Sequence, residues 1–290
     1  MAKPEDKAGG WGALVSSLQF LRRESFLKGN ATLLRMNQPG GFDCPGCAWP
    51  EPKHASVTEF CENGVKALTY ETTTKRAAPE MFAAHTVSEM RDWDDFTLEN
   101  TGRLTHPMAY NPTTDHYEPV GWGEAFARIA NHLRSLGSPD EAIFYTSGRT
   151  SNEAAFLYQL FGRLYGTNNF PDCSNMCHES SSVGMRESLA TGKGTVTLED
   201  FDHADAIFIF GQNPGTNHPR MLTELEKASK RGARVISFNP LREAGLLNFT
   251  HPQHALDMLF GRSTPISSHY YQLRVGGDLA AVRAMAKHIL

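Results

Sequence analysis

The strongest constraint on the fold is a strand–helix–strand pattern between positions 206 and 238. Ala206–Phe210 and Arg234–Phe238 are short apolar runs, typical of strands that are buried on both faces. Between them, apolar residues recur every three or four positions from Met221 to Ala228, which predicts an amphipathic helix closed by Gly232. Because strand, helix and strand follow one another so closely, we predict a parallel βαβ unit with a right-handed crossover.

The loops that follow these strands are the expected ligand site, because parallel sheets bind ligands beyond the carboxyl ends of their strands. One such loop is Gly211–Pro219, whose backbone N–H groups and side-chain amides suit phosphate groups. The next loop begins at Asn239. Neither contains the G-x-G-x-x-G pattern of a simple nicotinamide-binding site.

Upstream of this unit the pattern continues with helices and strands. Trp122–Leu136 predicts an amphipathic helix, Ala142–Thr146 a short strand, and Ser151 or Asn152 the cap of a further helix. Arg149 and Asn152 lie in the loop between strand and helix, so we expect them at the same edge of the sheet. Arg149 suits bidentate phosphate binding and equally an ordinary surface ion pair.

Residues 1–104 are irregular and rich in proline and glycine, with a predicted strand at Val65–Thr73 and a short helix at His85–Arg91. We therefore predict an α/β chain with two domains, an irregular N-terminal domain over residues 1–104 and an α/β domain over residues 105–290. The last helix, opened by Asp278, lacks a closing signal, so we expect the chain to stop inside a larger protein.

Composition excludes several classes of protein. Hydrophobic residues make up 40% and charged residues 21% of the chain, as in ordinary globular proteins. The net charge of -4 gives no indication of nucleic-acid binding. No apolar run approaches the roughly 20 residues of a membrane span. The stretch after Arg22-Arg23 is too short and polar for an export signal, so we expect a cytoplasmic protein.

Three of the five cysteines, Cys44, Cys47 and Cys61, lie close together near the N-terminus. In a cytosolic protein this spacing favours metal binding or catalysis over disulfide formation. An iron–sulfur cluster, a zinc site with three cysteines and one histidine, and a redox dithiol all fit the pattern. The nearest additional donors are His54, Glu51 and Glu59.

Cys177 and His178 adjoin one another in a second polar segment. A thiolate is a soft metal ligand and a nucleophile, and an imidazole moves protons near neutral pH. The same segment also fits a simple helix start, with Ser180, Ser181 and Ser182 as capping residues.

Taken in order, these residues resemble the molybdopterin-dependent formate dehydrogenase and nitrate reductase superfamily. The resemblance is carried by Glu118–Ala125, Gly166–Asn169, Phe210–Pro214 and Ser237–Pro240. Within that superfamily, the chain is most similar to the formate dehydrogenase-like branch linked to acid resistance. The resemblance implies an iron–sulfur-type N-terminal domain followed by the start of a parallel-sheet, Rossmann-like domain of the formate dehydrogenase/DMSO reductase type.

The resemblance also implies site residues. Cys177 would ligate molybdenum, and His178 would handle the substrate proton. A [4Fe-4S] cluster would lie near Cys44, Cys47 and Cys61. Two molybdopterin guanine dinucleotides would bind across loops that include Arg149, Asn152, Gly211, Asn213, Pro214 and Asn239.

Two positions depart from the family's pattern. Glu51 stands where a third closely spaced cysteine is expected, and Asn63 stands where a lysine follows the last cluster cysteine. Lys66 is the nearest lysine to that position.

The implied reaction is the two-electron oxidation of formate to CO2. Its electrons would pass through the cluster to an electron-acceptor protein. The alternatives are a reductase of another small substrate on the same cofactor, and a non-catalytic, zinc-stabilised module that binds a nucleotide.

Overall fold

The computed structural model describes residues 7–23, 26–47, 49–53, 56–147, 150–171 and 179–290, with the side chains of 26–28 left aside. The chain is mixed α/β and forms two compact units. The first unit combines Met1–Thr73 with Val196–Leu290, and the second unit is Thr74–Thr195. The domain boundary after residue 104 stays a prediction.

The described residues form ten strands and fourteen α-helices. The strands are β1 (Ala8–Gly9), β2 (Arg76–Ala77), β3 (Arg103–Leu104), β4 (Met108–Asn111), β5 (His116–Pro119), β6 (Ala206–Phe210), β7 (Arg234–Phe238), β8 (Asn248–Thr250), β9 (Thr264–Pro265) and β10 (His269–Tyr271). The helices are α1 (Gly10–Arg23), α2 (Phe26–Leu33), α3 (Glu62–Glu71), α4 (Pro79–Ala84), α5 (Val87–Arg91), α6 (Asp95–Glu99), α7 (Trp122–Ser135), α8 (Asn152–Tyr165), α9 (Glu179–Leu189), α10 (Pro214–Asn217), α11 (Met221–Arg231), α12 (Ala244–Leu247), α13 (Ala255–Leu259) and α14 (Asp278–Ile289).

The N-terminal part of the first unit is a packed group of helices α1, α2 and α3. Its core consists of Leu21, Leu33, Met36, Val65 and Leu68. The strand predicted at Val65–Thr73 is wrong, because most of this segment belongs to α3. Val65 and Leu68 are three positions apart, so a helix brings both to the face that contacts the other core residues.

The predicted βαβ unit is confirmed. Strands β6, β7 and β10 form a parallel sheet in the order β10-β7-β6. Helix α11 buries Leu222 and Leu225 in the core that also contains Ile209 and Val235 of the sheet. Gly232 ends the helix with a φ of 92°, a left-handed conformation that glycine adopts without strain.

A small second sheet ties the two sequence segments of the first unit together. Strand β1 pairs in parallel with β8, and β8 pairs antiparallel with β9. Phe249 of β8 and Leu246 of α12 enter the same core as α11. The N-terminal residues are thereby fixed to the βαβ part of the unit.

The second unit contains β2 to β5 and α4 to α9. Helices α7 and α8 confirm the helices predicted there, with Ser151 as the N-cap of α8. The strand predicted at Ala142–Thr146 is wrong, because this segment forms no named strand. Ala142 and Phe144 are buried, whereas Ile143 and Tyr145 are exposed. Phe144 packs against the aromatic rings of Tyr158, Phe161, Tyr165 and Phe170.

Of the helices that the described residues form, none combines the length and apolarity needed to cross a membrane.

Candidate functional site

One buried asparagine fixes the turn that carries Cys44 and Cys47 to the segment before Cys61. Asn37 has a φ of 57°, and its amide nitrogen donates to the Glu59 carbonyl over 2.7 Å. The amide oxygen of Asn37 accepts the N–H of Cys44 over 2.8 Å. The first two cysteines are thereby held near the start of α3, where Cys61 is the N-cap residue. We call Cys44, Cys47 and Cys61 the cysteine group.

The cysteine group has the electrostatics of a cation site. Burial raises the pKa of Cys44 and of Cys61, and repulsion from the other thiolates of the group raises both further. The N–H of Gly46 donates to Cys44 Sγ over 3.4 Å. A bound metal cation would remove the repulsion and keep the thiolates deprotonated. The donor set therefore fits a metal centre.

In the described part of the chain, one group of three potential ligands has all its donor atoms within 4.8 Å of one another, and that group contains no cysteine. Three thiolates occur both at zinc sites and at iron–sulfur clusters, so the cysteine group alone does not distinguish the two kinds of centre.

The closely spaced group is Glu226, His254 and Asp257. Lys230 already supplies its cation, with the ammonium 2.9 Å from a Glu226 oxygen and 3.9 Å from an Asp257 oxygen. The hydroxyl of Thr264 donates to the same Glu226 oxygen over 2.8 Å. This group is an ion-pair network, and we assign no metal to it.

A second ion-pair network lies beside the cysteine group and is centred on Arg220. The guanidinium contacts both oxygens of Glu51 over 3.0 Å and one oxygen of Glu59 over 2.9 Å. The Arg220 side chain is 10% exposed. Burial works against ionisation of Glu59, but hydrogen bonds from Ser56 and Arg220 outweigh it and lower the pKa of Glu59. We call Arg220, Glu51 and Glu59 the arginine triad.

The loops after β6 and β7 are connected by side-chain amides. Asn239 donates to the Gln212 carbonyl over 3.0 Å. Asn213 donates to Glu243 over 2.7 Å and also caps α10. Gly211 has a φ of 65° and donates its N–H to the last residue of β7 over 2.8 Å. Four residues expected in the cofactor loops, including Pro214, are thus placed at the carboxyl edge of one parallel sheet.

Two glycines allow the helices of these loops to touch. A Cβ atom on Gly245 of α12 would lie 2.9 Å from the Cα atom of Gly215 in α10. Real Cβ atoms do not approach backbone atoms so closely, so the contact requires that Gly245 lacks a side chain. A Cβ atom on Gly215 would lie 3.2 Å from the Cα atom of Gly245, which is a tight contact. The two loops are therefore packed backbone against backbone.

The cysteine group and the cofactor loops meet at Asn63. The side-chain amide of Asn63, two residues after Cys61, donates to the carbonyl of Thr216 over 2.5 Å. A cavity of about 520 Å³ adjoins this contact, and its lining includes Cys61, Gly215 and His251. One surface of the first unit thus carries the Cys61 thiol on one side and the loop after β6 on the other.

Several predicted candidate residues fall outside the described residues or in the second unit. Arg149, Cys177, His178 and His54 lie outside the described residues. Asn152 is the first residue of α8, in the second unit.

Lys66 is paired with Glu62 over 2.6 Å and lies 5.2 Å from the centre of the Phe20 ring. Among the described residues, Asn63 therefore makes the contact from α3 to the loop after β6.

Sequence reasoning missed two residues that organise the site. Asn37 belongs to no motif. Asparagine tolerates the left-handed conformation, and that preference for turns is the signal available in the sequence. Arg220 follows the loop motif directly, but its partners lie 169 and 161 positions away. Nothing local to Arg220 identifies them.

Comparison with known proteins places the chain in a family. Residues 103–260 match the family described as Molybdopterin oxidoreductase. Protein YdeP of Escherichia coli is 51% identical over 98% of this chain and 37% of its own length. An uncharacterized oxidoreductase of Mycobacterium tuberculosis is 49% identical over 99% of this chain and 37% of its own length.

A relative with a named activity is more distant. Formate dehydrogenase H of Escherichia coli is 32% identical over 48% of this chain and 20% of its own length. The chain spans 37% of the length of the two relatives that align along nearly all of it. Because the family match covers more than half of the residues and two relatives align along nearly all of them, this chain belongs to the molybdopterin oxidoreductase family.

Proposed function

We propose that the chain forms the cluster-binding and first cofactor-binding parts of a molybdenum enzyme that oxidises formate to CO2. The contact between Asn63 and Thr216 carries this proposal, because it joins the helix capped by Cys61 to the loop after β6. A redox enzyme needs such a contact if electrons are to pass from a pterin cofactor to a cluster. Similarity to Formate dehydrogenase H supports formate as the substrate.

The chain's own residues have distinct tasks in this proposal. Gly211, Asn213, Pro214 and Asn239 line the sheet edge where a guanine dinucleotide would bind. The backbone contact between α10 and α12 keeps their loops in register. Arg149 and Asn152 are proposed as further cofactor-binding residues.

The chemistry at the substrate needs two further residues. When bound, the molybdenum–pterin cofactor supplies the two-electron acceptor. Cys177 would hold the metal through its thiolate, and His178 would take up the proton. Oxidation of formate to CO2 would release one proton and two electrons, and the cysteine group would hold the cluster that accepts these electrons.

The match to the Molybdopterin oxidoreductase family favours a redox centre over the zinc-stabilised module. The thiolates of the cysteine group suit an iron–sulfur cluster. The Cys47 side chain is only half-buried, as are Cys44 and Cys61, so the site is open to assembly.

The test begins with the full-length gene product, purified without oxygen and analysed for molybdenum, tungsten, iron and zinc. We expect about one molybdenum or tungsten per chain together with several irons. Zinc alone would refute the proposal. Formate-dependent reduction of a viologen dye then tests the substrate, and bound molybdenum without that activity would point to another small substrate.

A pair of matched variants tests the site. Cys177→Ser should abolish dye reduction while leaving pterin bound, since serine is a poorer ligand for the metal. Cys173→Ser alters a cysteine of the same segment and should retain activity. Full activity of Cys177→Ser would exclude the ligand role.

A further inference from the structure

The turn over residues 251–254, which follows β8 in the first unit, is closed by bonds to one histidine. The N–H of Gln253 donates to Nδ1 of His251 over 3.2 Å, and the N–H of His254 donates to the His251 carbonyl over 3.1 Å. The His251 ring contacts Phe249 edge to face, with centroids 5.6 Å apart. It stacks on the His254 ring, with centroids 4.2 Å apart and an angle of 16° between the planes.

The hydrogen bonds of His251 define the form of its ring. Because Nδ1 accepts an N–H, the single proton of the neutral ring lies on Nε2, which is 3.2 Å from the hydroxyl oxygen of Thr223. A second proton can therefore enter only at Nδ1. It would turn this acceptor into a donor that faces the N–H of Gln253, and the bond would be lost. The turn in its present form requires a neutral His251.

The charged side chains around the His251 ring come from α11, α13 and the turn itself. Among the described residues they are Glu224, Glu226, Lys227 and Lys230 of α11, Asp257 of α13, and His254. The two carboxylates of α11 are already paired, each with a lysine of the same helix over 2.9 Å. Asp257 lies 3.5 Å from Nδ1 of His254. Burial, and then the charge of His254, lower the pKa of His251, and the opposing attraction of Glu226 does not outweigh them.

The turn also contacts the segment that precedes Cys61. The side-chain amide of Gln253 donates to the carbonyl of Thr58 over 2.6 Å, across 195 positions of sequence. Thr58, His251 and Gln253 all line the cavity of about 520 Å³. The bond from Gln253 to Thr58 therefore ties two parts of the cavity wall together.

We propose that the 251–254 turn is a pH-sensitive latch on the cavity wall, which opens when His251 takes up a proton at Nδ1 and thereby releases Gln253 from Thr58. The proton comes from water, one N–H bond forms, and only hydrogen bonds break. The latch is closed above the ordinary histidine pKa of about 6.5 and opens as the pH falls below that value. This inference is independent of the proposed function, because every group in the latch belongs to the chain itself.

The size of the response has an upper limit. If the closed turn takes no proton at His251 and the open turn binds one with the ordinary pKa, the equilibrium for opening rises by at most about 30-fold between pH 7.5 and pH 5. Local opening of this kind is measured by hydrogen exchange of backbone amides. The two N–H groups that close the turn, those of Gln253 and His254, report it directly.

The experiment follows hydrogen–deuterium exchange of the full-length protein by mass spectrometry between pH 7.5 and pH 5, with each rate divided by the intrinsic rate at that pH. We expect the peptide that contains residues 251–254 to lose protection by between about 5-fold and 30-fold as the pH falls. Unchanged protection of this peptide would overturn the proposal. Equal loss of protection in β6 and β7 would also overturn it, because acid would then unfold the whole unit.

Matched variants identify the group that responds. In His251→Gln the amide oxygen can still accept the N–H of Gln253 but does not titrate in this range, so protection of the turn should no longer depend on pH. His288→Gln, which replaces an exposed histidine of α14 in the same unit, should respond as the wild type does. A His251→Gln protein that still loses protection in acid would show that another group carries the response and would refute the latch.

A third variant tests the contact with the cavity wall. Gln253→Ala removes the bond to the Thr58 carbonyl, so residues 56–60 should exchange faster at pH 7.5, whereas the turn should keep its pH dependence. Unchanged exchange of residues 56–60 would refute the coupling between the turn and this segment. If His251→Gln does not fold, the wild-type profile and Gln253→Ala decide the matter.

The outcomes also separate the latch from the proposed function. A protein that lacks molybdenum, tungsten and iron but shows the acid response refutes the proposed function alone. A metal-loaded protein that oxidises formate but lacks the acid response refutes the latch alone.

Discussion

Replacing Gly245 by alanine should separate the two cofactor loops. The new Cβ atom would lie 2.9 Å from Gly215 Cα and 3.0 Å from its nitrogen. Both are backbone atoms, so the clash cannot be relieved by a change of rotamer. Gly245 has no left-handed φ, so the cost is one of packing and not of backbone strain.

The size of the effect follows from two opposing terms. Overpacking of a well-packed contact costs about 1–3 kcal/mol. Alanine in place of a helical glycine returns about 0.5–1 kcal/mol, and the short helix α12 favours the lower end of that range. We expect a net loss of about 1–2 kcal/mol in the free energy of unfolding, together with lower pterin content.

The matched control is Gly12→Ala in α1, within the same unit. A Cβ atom at Gly12 meets nothing within 4 Å, so this variant should gain about 0.5–1 kcal/mol. Urea denaturation of the full-length protein, followed by fluorescence, measures both variants. If Gly245→Ala were as stable as Gly12→Ala, and as fully loaded with pterin, the backbone contact between the loops would be refuted.

Three further predictions concern the same chain. Burial, and then the nearby His254, lower the pKa of His251. The neutral ring therefore contributes to the stability of the folded protein above the ordinary histidine pKa of about 6.5, and this contribution is lost as the pH falls below it. The urea midpoint should consequently fall less steeply between about pH 7 and pH 5 in His251→Gln than in the wild type. Thr86→Ala removes the hydroxyl that accepts the Glu89 N–H at the start of α5 over 3.1 Å and should cost about 1 kcal/mol of stability in denaturation experiments. Asn63→Asp turns a donor to the Thr216 carbonyl into an acceptor and weakens that contact by about 1–3 kcal/mol; stopped-flow absorbance should show slower cluster reduction by formate, and an unchanged rate would exclude Asn63 from the contact.

The sequence was sufficient where local signals agreed with one another. At β6, α11 and β7 the apolar runs, the helical spacing and the closing Gly232 all indicate the same unit, and the structure contains it. Val65–Thr73 failed because a short apolar run fits a strand and a buried helix equally well. The residue that decides the matter, Leu21, lies far upstream in α1. The strand predicted at Ala142–Thr146 was wrong for a similar reason, because aromatic residues of α8 bury Phe144.

The candidate site shows the same limit more sharply. Cysteine spacing indicated a metal centre but left zinc and iron open. Glu51 stands where a third closely spaced cysteine is expected, and its ion pair with Arg220, 169 positions away, has no local signal in the sequence. Side chains that constrain other side chains across such separations leave no pattern in a single sequence.

Arg220 also connects the cysteine group to the loops of the βαβ unit. The residue directly precedes α11, whose apolar face is fixed in the core of the βαβ unit. Its guanidinium holds Glu51 and Glu59, both of which lie in the segment between Cys47 and Cys61. A displacement of α11 would move Arg220, and the ion pairs of the arginine triad would pass this movement to the segment between Cys47 and Cys61. It would also move the loop after β6, because that loop leads directly into α11. A change that loosens this helix should lower cluster and pterin content together, whereas loss of one thiol should lower cluster content first.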